Sequence, residues 1–225
     1  KVFENLKRKG PELRAYRFTD GQQPKVDGDL RKPFWWFRNE LDPQYTFYPL
    51  RDMITGEVPK HISTSVSFRY TAGALFIAVD CLEPKMDRLQ ARCNKRDDSD
   101  IWSGDFVEIR LETPNGRQPR IVVNPSGAIH DSDPTMPKTE DLPEFYCVTD
   151  CAIRKLTDRW TIEIQVDDVF ASTEVAARLG AGFSVAENVS QRTCLVGVTH
   201  DENAGTHEPV RVAAAVSMPP AFAVP

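Results

Sequence analysis

"DFVEIRLE" (Asp105–Glu112) alternates without a break: Val107, Ile109 and Leu111 fall on one side of an extended chain, and Phe106, Glu108, Arg110 and Glu112 on the other. A period of two is the mark of a strand with one face turned to a core, because successive strand side chains point to opposite faces. "PNGRQP" (Pro114–Pro119) carries turn residues, and "RIVVN" (Arg120–Asn124) reads as the returning strand of a hairpin.

The same grammar extends in both directions. "STSVSFRYT" (Ser63–Thr71) sends Val66, Phe68 and Tyr70 to one face and Ser65, Ser67 and Arg69 to the other. "ALFIAVD" (Ala74–Asp80) follows a Thr71-Ala72-Gly73 turn as its hairpin partner. "RWTIEIQV" (Arg159–Val166) directs Trp160, Ile162, Ile164 and Val166 inward and Thr161, Glu163 and Gln165 outward, and "GFSVAENVS" (Gly182–Ser190) and "RTCLVGVT" (Arg192–Thr199) fit further strands. The 17 prolines and 12 glycines fall mostly between these apolar segments, which is strand-and-turn punctuation. Helical spacing is confined to "DDVFASTEVAARLG" (Asp167–Gly180), with a carboxylate start and a glycine stop, and more weakly "MDRLQARCNK" (Met86–Lys95). "KPFWWF" (Lys32–Phe37), read as a strand, points only one of Trp35 and Trp36 into a core. The pattern is all-β: a two-sheet antiparallel β-sandwich, jelly-roll-like, of about eight short strands with one or two short helices. One domain spans residues 1–225, its core about 24–200, with the weakly patterned 1–20 and 201–225 expected to be extensions or linkers.

Bulk properties narrow the function. The chain is 40% hydrophobic and 27% charged, with no apolar run near the roughly 18 residues that cross a bilayer, so membrane insertion is not expected. A net charge of −5, spread along the chain, gives no electrostatic grip on a phosphate backbone, and nucleic acid is a poor partner. The sequence begins at Lys1 with neither an initiator Met nor a signal peptide, which fits a trimmed mature protein or an excised domain. Five cysteines leave at least one unpaired and do not make a disulfide scaffold; the spacing permits a Cys147/Cys151 or a Cys81/Cys93 bridge.

No Gly-rich phosphate loop, G-x-S-x-G or H-E-x-x-H occurs, and His61, His130, His200 and His207 are scattered, which fits surface or loop roles. "DDSDIWSGD" (Asp97–Asp105) gathers Asp97, Asp98, Asp100 and Asp105 in one loop, a set of oxygen ligands suited to Ca²⁺ as well as to a solvated turn. Trp102, in the same loop, fits either a plug at the end of a sandwich or a ligand platform. Polar neighbours (Asp100, Ser103, Gly104, Asp105) and the outer-face side chains Glu108, Arg110, Arg120 and Asn124 suit a sugar, whose C–H faces stack on an aromatic ring while its hydroxyls take charged or amide partners. The same residues also suit a surface salt-bridge ladder.

The order of "VDGDLRKPFWW", "VSFRYTAGALFIAVDCLEP", "IWSGDFVEIRLE", "RIVVNPSGAIHD", "DRWTIEIQVDDVF" and "GFSVAENVSQ", from Val26 to Gln191, resembles carbohydrate-binding module family 9 and its relatives in the DOMON-like superfamily. "W-x-x-D-x-V-E-I" followed by a "V-N-x-x-G" strand is its most specific part. The resemblance implies a non-catalytic β-sandwich module, outside the cytoplasm (extracellular or periplasmic), bound to oligo- or polysaccharide and appended to a polysaccharide-degrading enzyme domain, with structural calcium in some members. By motif position Trp102 matches the first of two tryptophans that hold a sugar, Glu108 a hydrogen-bonding glutamate, and Asn124 the matching strand. The family's binding arginine falls on Val122, a contact missing here or replaced by Arg120, and no tryptophan occurs beyond Trp160 to close a two-ring clamp. Two alternatives accompany this reading. One is a structural or docking domain without a small ligand. The other is haem-binding electron transfer, for which Met53, Met86, Met136 and Met218 offer no ligand on an expected strand opposite a histidine.

Overall fold

Val107, Ile109 and Leu111 do turn inward, and all three are fully buried. They belong to β7 (Phe106–Glu112), which lies within a seven-stranded sheet. The computed structural model describes residues 12–14, 16–18, 24–36, 47–52, 58, 63–70, 74–112, 118–136, 146–167, 192–200 and 210–218. Across that sheet the order is β1 (Glu12–Arg14), β13 (Val210–Met218), β12 (Arg192–His200), β7, β8 (Arg120–Val123) and β9 (Ile129–Ser132), with β4 (Arg51–Asp52) pairing β13. The second, six-stranded sheet runs β10 (Val148–Lys155), β11 (Arg159–Asp167), β6 (Ala74–Leu82), β5 (Thr64–Tyr70) and β2 (Tyr16–Arg17), with β3 (Tyr48–Pro49) pairing β5. Pairing is antiparallel except for β1 with β13 and β2 with β5. The expected two-sheet antiparallel sandwich is the fold.

Between the sheets, Val107, Ile109, Leu111, Ile121 and Val123 of one meet Val66, Phe68, Ile77, Val79, Trp160, Ile162 and Ile164 of the other. Each such side chain contributes on the order of 1.5–3 kcal/mol by leaving water, which is why period-two patterning locates this layer from sequence.

The opposite face of the six-stranded sheet differs from expectation. Ser67, Arg69, Thr161 and Glu163, all at polar, outward positions of their strands, are buried. Residues 24–36 lie over Thr161 and Glu163, and Phe18, Leu30, Trp35 and Phe47 pack with Phe76 and Ala78 of β6 in a second apolar layer. "KPFWWF" is not a strand here: Pro33–Trp36 forms a single helical turn, α1, begun by a proline, whose fixed φ suits that position. Trp35 plugs the layer at 1% exposure.

Other expectations are also revised. Met86–Lys95 contains only the 3-10 turn Met86–Arg88, since Leu89 takes an extended backbone that ends it. Cys81, Cys93, Cys147 and Cys151 are all free thiols, so neither bridge forms. Burial, then the charge of Asp150, pushes the Cys151 thiol up to about 12, and burial above all raises those of Cys81 and Cys93. Residues expected to be extensions supply β1 and β2 at one end of the chain, and β13, inside the seven-stranded sheet, at the other. The expected helix over Asp167–Gly180 and strand over Gly182–Ser190 lie outside the described residues. Among the described residues no helix is long and apolar enough to cross a membrane.

Candidate functional site

The outer face of the seven-stranded sheet carries Phe106, Glu108 and Arg110 on β7, with Val122 opposite Glu108 and Arg120 opposite Arg110 on β8. His130 on β9 stands opposite Val122. At one end of this face the loop before β7 folds back over the sheet. Asp98 opens the 3-10 turn Ser99–Trp102 by accepting the Asp100 N–H (2.9 Å), and Ile101 sinks into a small apolar cluster with Cys93, Phe106, Val122 and Ala128. Two bonds between Gln90 and Asp105 then fasten the loop: the Asp105 N–H donates to the Gln90 carbonyl (2.9 Å), and the Gln90 N–H donates to the Asp105 carboxylate (2.7 Å). Between them Gly104 has φ +117°, and a Cβ there would meet the Gln90 carbonyl oxygen at 2.9 Å, so only glycine fits.

With Ile101 anchored below, its neighbour Trp102 is left at the surface, 36% exposed. Its ring contacts Phe106 and His130 edge to face, with centroids 5.5 and 5.6 Å away, and the Arg120 guanidinium carbon lies 4.2 Å from the ring centroid. Arg120 is held there by Glu108: the Nε atoms of Arg120 and of Arg110 each donate to the same oxygen, Oε1, at 2.6 Å. Partial burial pushes the Glu108 carboxyl up, but the hydrogen bonds from Arg120 and Arg110 outweigh that and hold it below the usual carboxylate range. The carboxylate is therefore ionised at neutral pH. His130 completes the arrangement, with Nδ1 3.0 Å from Asp97 Oδ1.

Four of the five side chains expected from the sequence to contact a ligand, Trp102, Glu108, Arg110 and Arg120, thus form one connected group. Asn124 does not join it. At 1% exposure, it accepts the Ser126 and Ala128 N–H groups (both 3.0 Å) on Oδ1 and donates from Nδ2 to the Cys93 carbonyl (2.9 Å). That amide closes a turn and ties β8 to the Trp102 loop, and nothing of it is left for a ligand.

The carboxylates expected to hold calcium are also dispersed. Asp98 caps a turn, Asp105 bonds Gln90, and Asp97 faces Arg96 and His130, while Asp100 is exposed beside its own turn. Among the described residues no three His, Cys, Asp or Glu side chains converge to hold an ion, so Asp97, Asp98, Asp100 and Asp105 do not fit Ca²⁺. For haem, Met218 ends β13 opposite Arg192, whereas His200 pairs with Val210 at the far end of the same strands.

Three solved structures match nearly the full chain. A family 9 carbohydrate-binding module from Caldicellulosiruptor kristjanssonii in complex with glucose has a TM-score of 0.55 at 12% identity, over 93% of this chain and 97% of that one. The same family's module from that organism in complex with cellotriose gives 0.53 at 11%, over 94% and 98%. A Bacteroides uniformis protein assigned to carbohydrate binding gives 0.58 at 11%, over 93% and 99%. The chain has the fold of family 9 modules. No protein-family model and no curated protein matches the sequence.

Proposed function

We propose that this chain is a non-catalytic carbohydrate-binding module in which a sugar ring stacks on Trp102 while its hydroxyls bond Glu108 and Arg120. The supporting observation is the exposed indole joined through Arg120 to an ionised carboxylate. Both arginine bonds go to Oε1 of Glu108, and on this reading Oε2 is the acceptor for a sugar hydroxyl. The neighbours with the same fold, two of them holding glucose and cellotriose, support the ligand class. The family resemblance extends the reading to a place outside the cytoplasm, beside a polysaccharide-degrading catalytic domain. Affinity is expected to be weak, because one stacked ring and a few hydrogen bonds leave little surplus after ordering costs.

One observation favours a second reading, a docking domain without a small ligand: the Arg120 guanidinium already lies against the Trp102 ring, and no second tryptophan follows Trp160 to face it. Titration with cello- and xylo-oligosaccharides, followed by tryptophan fluorescence in the wild type and in Trp102→Ala, separates the two. Saturable quenching lost in the variant supports sugar binding; an identical flat response from both proteins supports the docking domain.

A further inference from the structure

Beyond the stacking ring, the register places two like charges directly across from each other: Arg110 on β7 pairs with Arg120 on β8. Like charges at such positions repel, and one carboxylate, Glu108, serves both. The two guanidiniums thus share a single carboxylate oxygen, so Arg110, Arg120 and Glu108 together carry one positive charge in a chain whose total is −5. Both guanidiniums spend Nε on Glu108, and among the described residues their Nη atoms make no hydrogen bond. They line a shallow, open pocket together with Gln118 and Pro134. Asp133, next to Pro134 at the rim, is buried, and its Oδ1 accepts the Gln118 N–H (3.3 Å), the Thr135 N–H (3.0 Å) and the Thr135 hydroxyl (2.5 Å).

We propose, building on the sugar-binding reading above, that the ligand is an acidic sugar whose carboxylate or sulfate ester enters this pocket and is held by the Nη groups of Arg110 and Arg120. A planar guanidinium fork matches a carboxylate or sulfate edge, and the added anion relieves the repulsion between the two arginines. Arg120, which touches both Trp102 and the pocket, couples the stacked ring to the acidic group.

Calorimetric titration of the full chain with matched pairs tests this: D-glucuronate against D-glucose, the β-1,4-linked glucuronate trimer against cellotriose, and glucose 6-sulfate as the sulfate arm. The acidic member of each pair is expected to bind about tenfold more tightly at low salt, with much of that advantage lost on raising salt from about 20 to about 200 mM. Tighter binding of glucuronate than of glucose 6-sulfate assigns the pocket to uronates, and the reverse to sulfated sugars. In Arg110→Gln the ratio of acidic to neutral affinity, read within the variant itself, should fall from about ten to about one; Arg110→Lys, keeping the charge without the fork, should retain part of that ratio. Equal or tighter binding of the neutral sugars overturns the acidic-ligand proposal and leaves carbohydrate binding standing. Failure of every sugar to bind overturns both.

Discussion

The two outer faces of the sandwich are built from the same parts and end in opposite states. On the six-stranded sheet, Glu163 lies under the 24–36 segment at 2% exposure, accepting the Trp35 indole N–H (2.6 Å), the Lys32 ammonium (2.6 Å) and the backbone N–H groups of Asp27 (2.9 Å) and Gly28 (2.8 Å). On the seven-stranded sheet, Glu108 takes two arginines, and the neighbouring tryptophan lies open. A carboxylate, an indole and a cation make a closed clasp in one place and an accessible surface in the other. What separates them is not the strand pattern, which sets both glutamates at outward positions, but whether another stretch of chain has enough apolar residues to cover that face. Leu30, Phe34 and Trp35 do so for Glu163. Among the described residues, the loop over Glu108 delivers only Ile101 and covers only the end of the sheet around Phe106 and Val122.

This contrast breaks most easily at the closed face. Trp35→Ala should cost about 3–5 kcal/mol by emptying a packed layer, and Glu163→Ala a comparable amount by leaving the Trp35 indole N–H and the Asp27 and Gly28 backbone N–H groups without their acceptor, Lys32 keeping Asp27. Trp102→Ala and Glu108→Ala should each shift stability by less than about 1 kcal/mol while removing sugar binding. Urea melts of the four variants check the ordering, and an equal loss of stability at both faces would contradict it. Next in size, Gly104→Ala should cost about 1–3 kcal/mol, because it forces a side chain into a left-handed backbone against the Gln90 carbonyl. Thermal melts and titration together should show it weakening sugar binding without altering Trp102 itself.

The pH response sharpens the comparison further. The Glu108 carboxyl is held below its unfolded value, so the stability it lends is fully present above that value, about 4.3, and is lost only as pH falls through the lower folded one. Sugar binding should accordingly be flat from neutral pH to about 5 and fail only in stronger acid. A loss of binding centred near pH 6 would assign the control to another group. The smallest effect belongs to Arg31→Ala: its partner Asp29 is likewise held low, by the Arg31 hydrogen bond first, but the arginine stands in solvent. A melt should register no resolvable change there, since solvent screens the pair.

Much of this was legible in the chain. Alternation located the inner faces of β5, β7 and β11, where apolar residues recur at every second position. It also set Glu108, Arg110 and Arg120 on one surface, and the polar loop brought Trp102 beside them. Alternation carries no information about a covering layer, so Thr161 and Glu163 read as solvent positions until residues 24–36 were seen to lie on them. β13 was missed for a related reason: "VRVAAAVSM" is apolar at nearly every position and has no period to detect. Asn124 was assigned to a ligand, although "NPSG" is itself a turn signal, an Asn side chain accepting N–H groups two and four residues on. His130 had no signal of its own; only the register of β8 with β9 brings it to Trp102.

The chain has four tryptophans, and their indole N–H groups offer the most direct test of the claim that one outer face is open to a sugar and the other closed. In ¹H–¹⁵N spectra, with signals assigned by single Trp→Phe substitutions, added oligosaccharide is expected to move the Trp102 indole resonance progressively and to leave that of Trp35, bonded to Glu163, in place. A Trp102 signal that stays fixed, or a Trp35 signal that moves in its stead, would contradict the account.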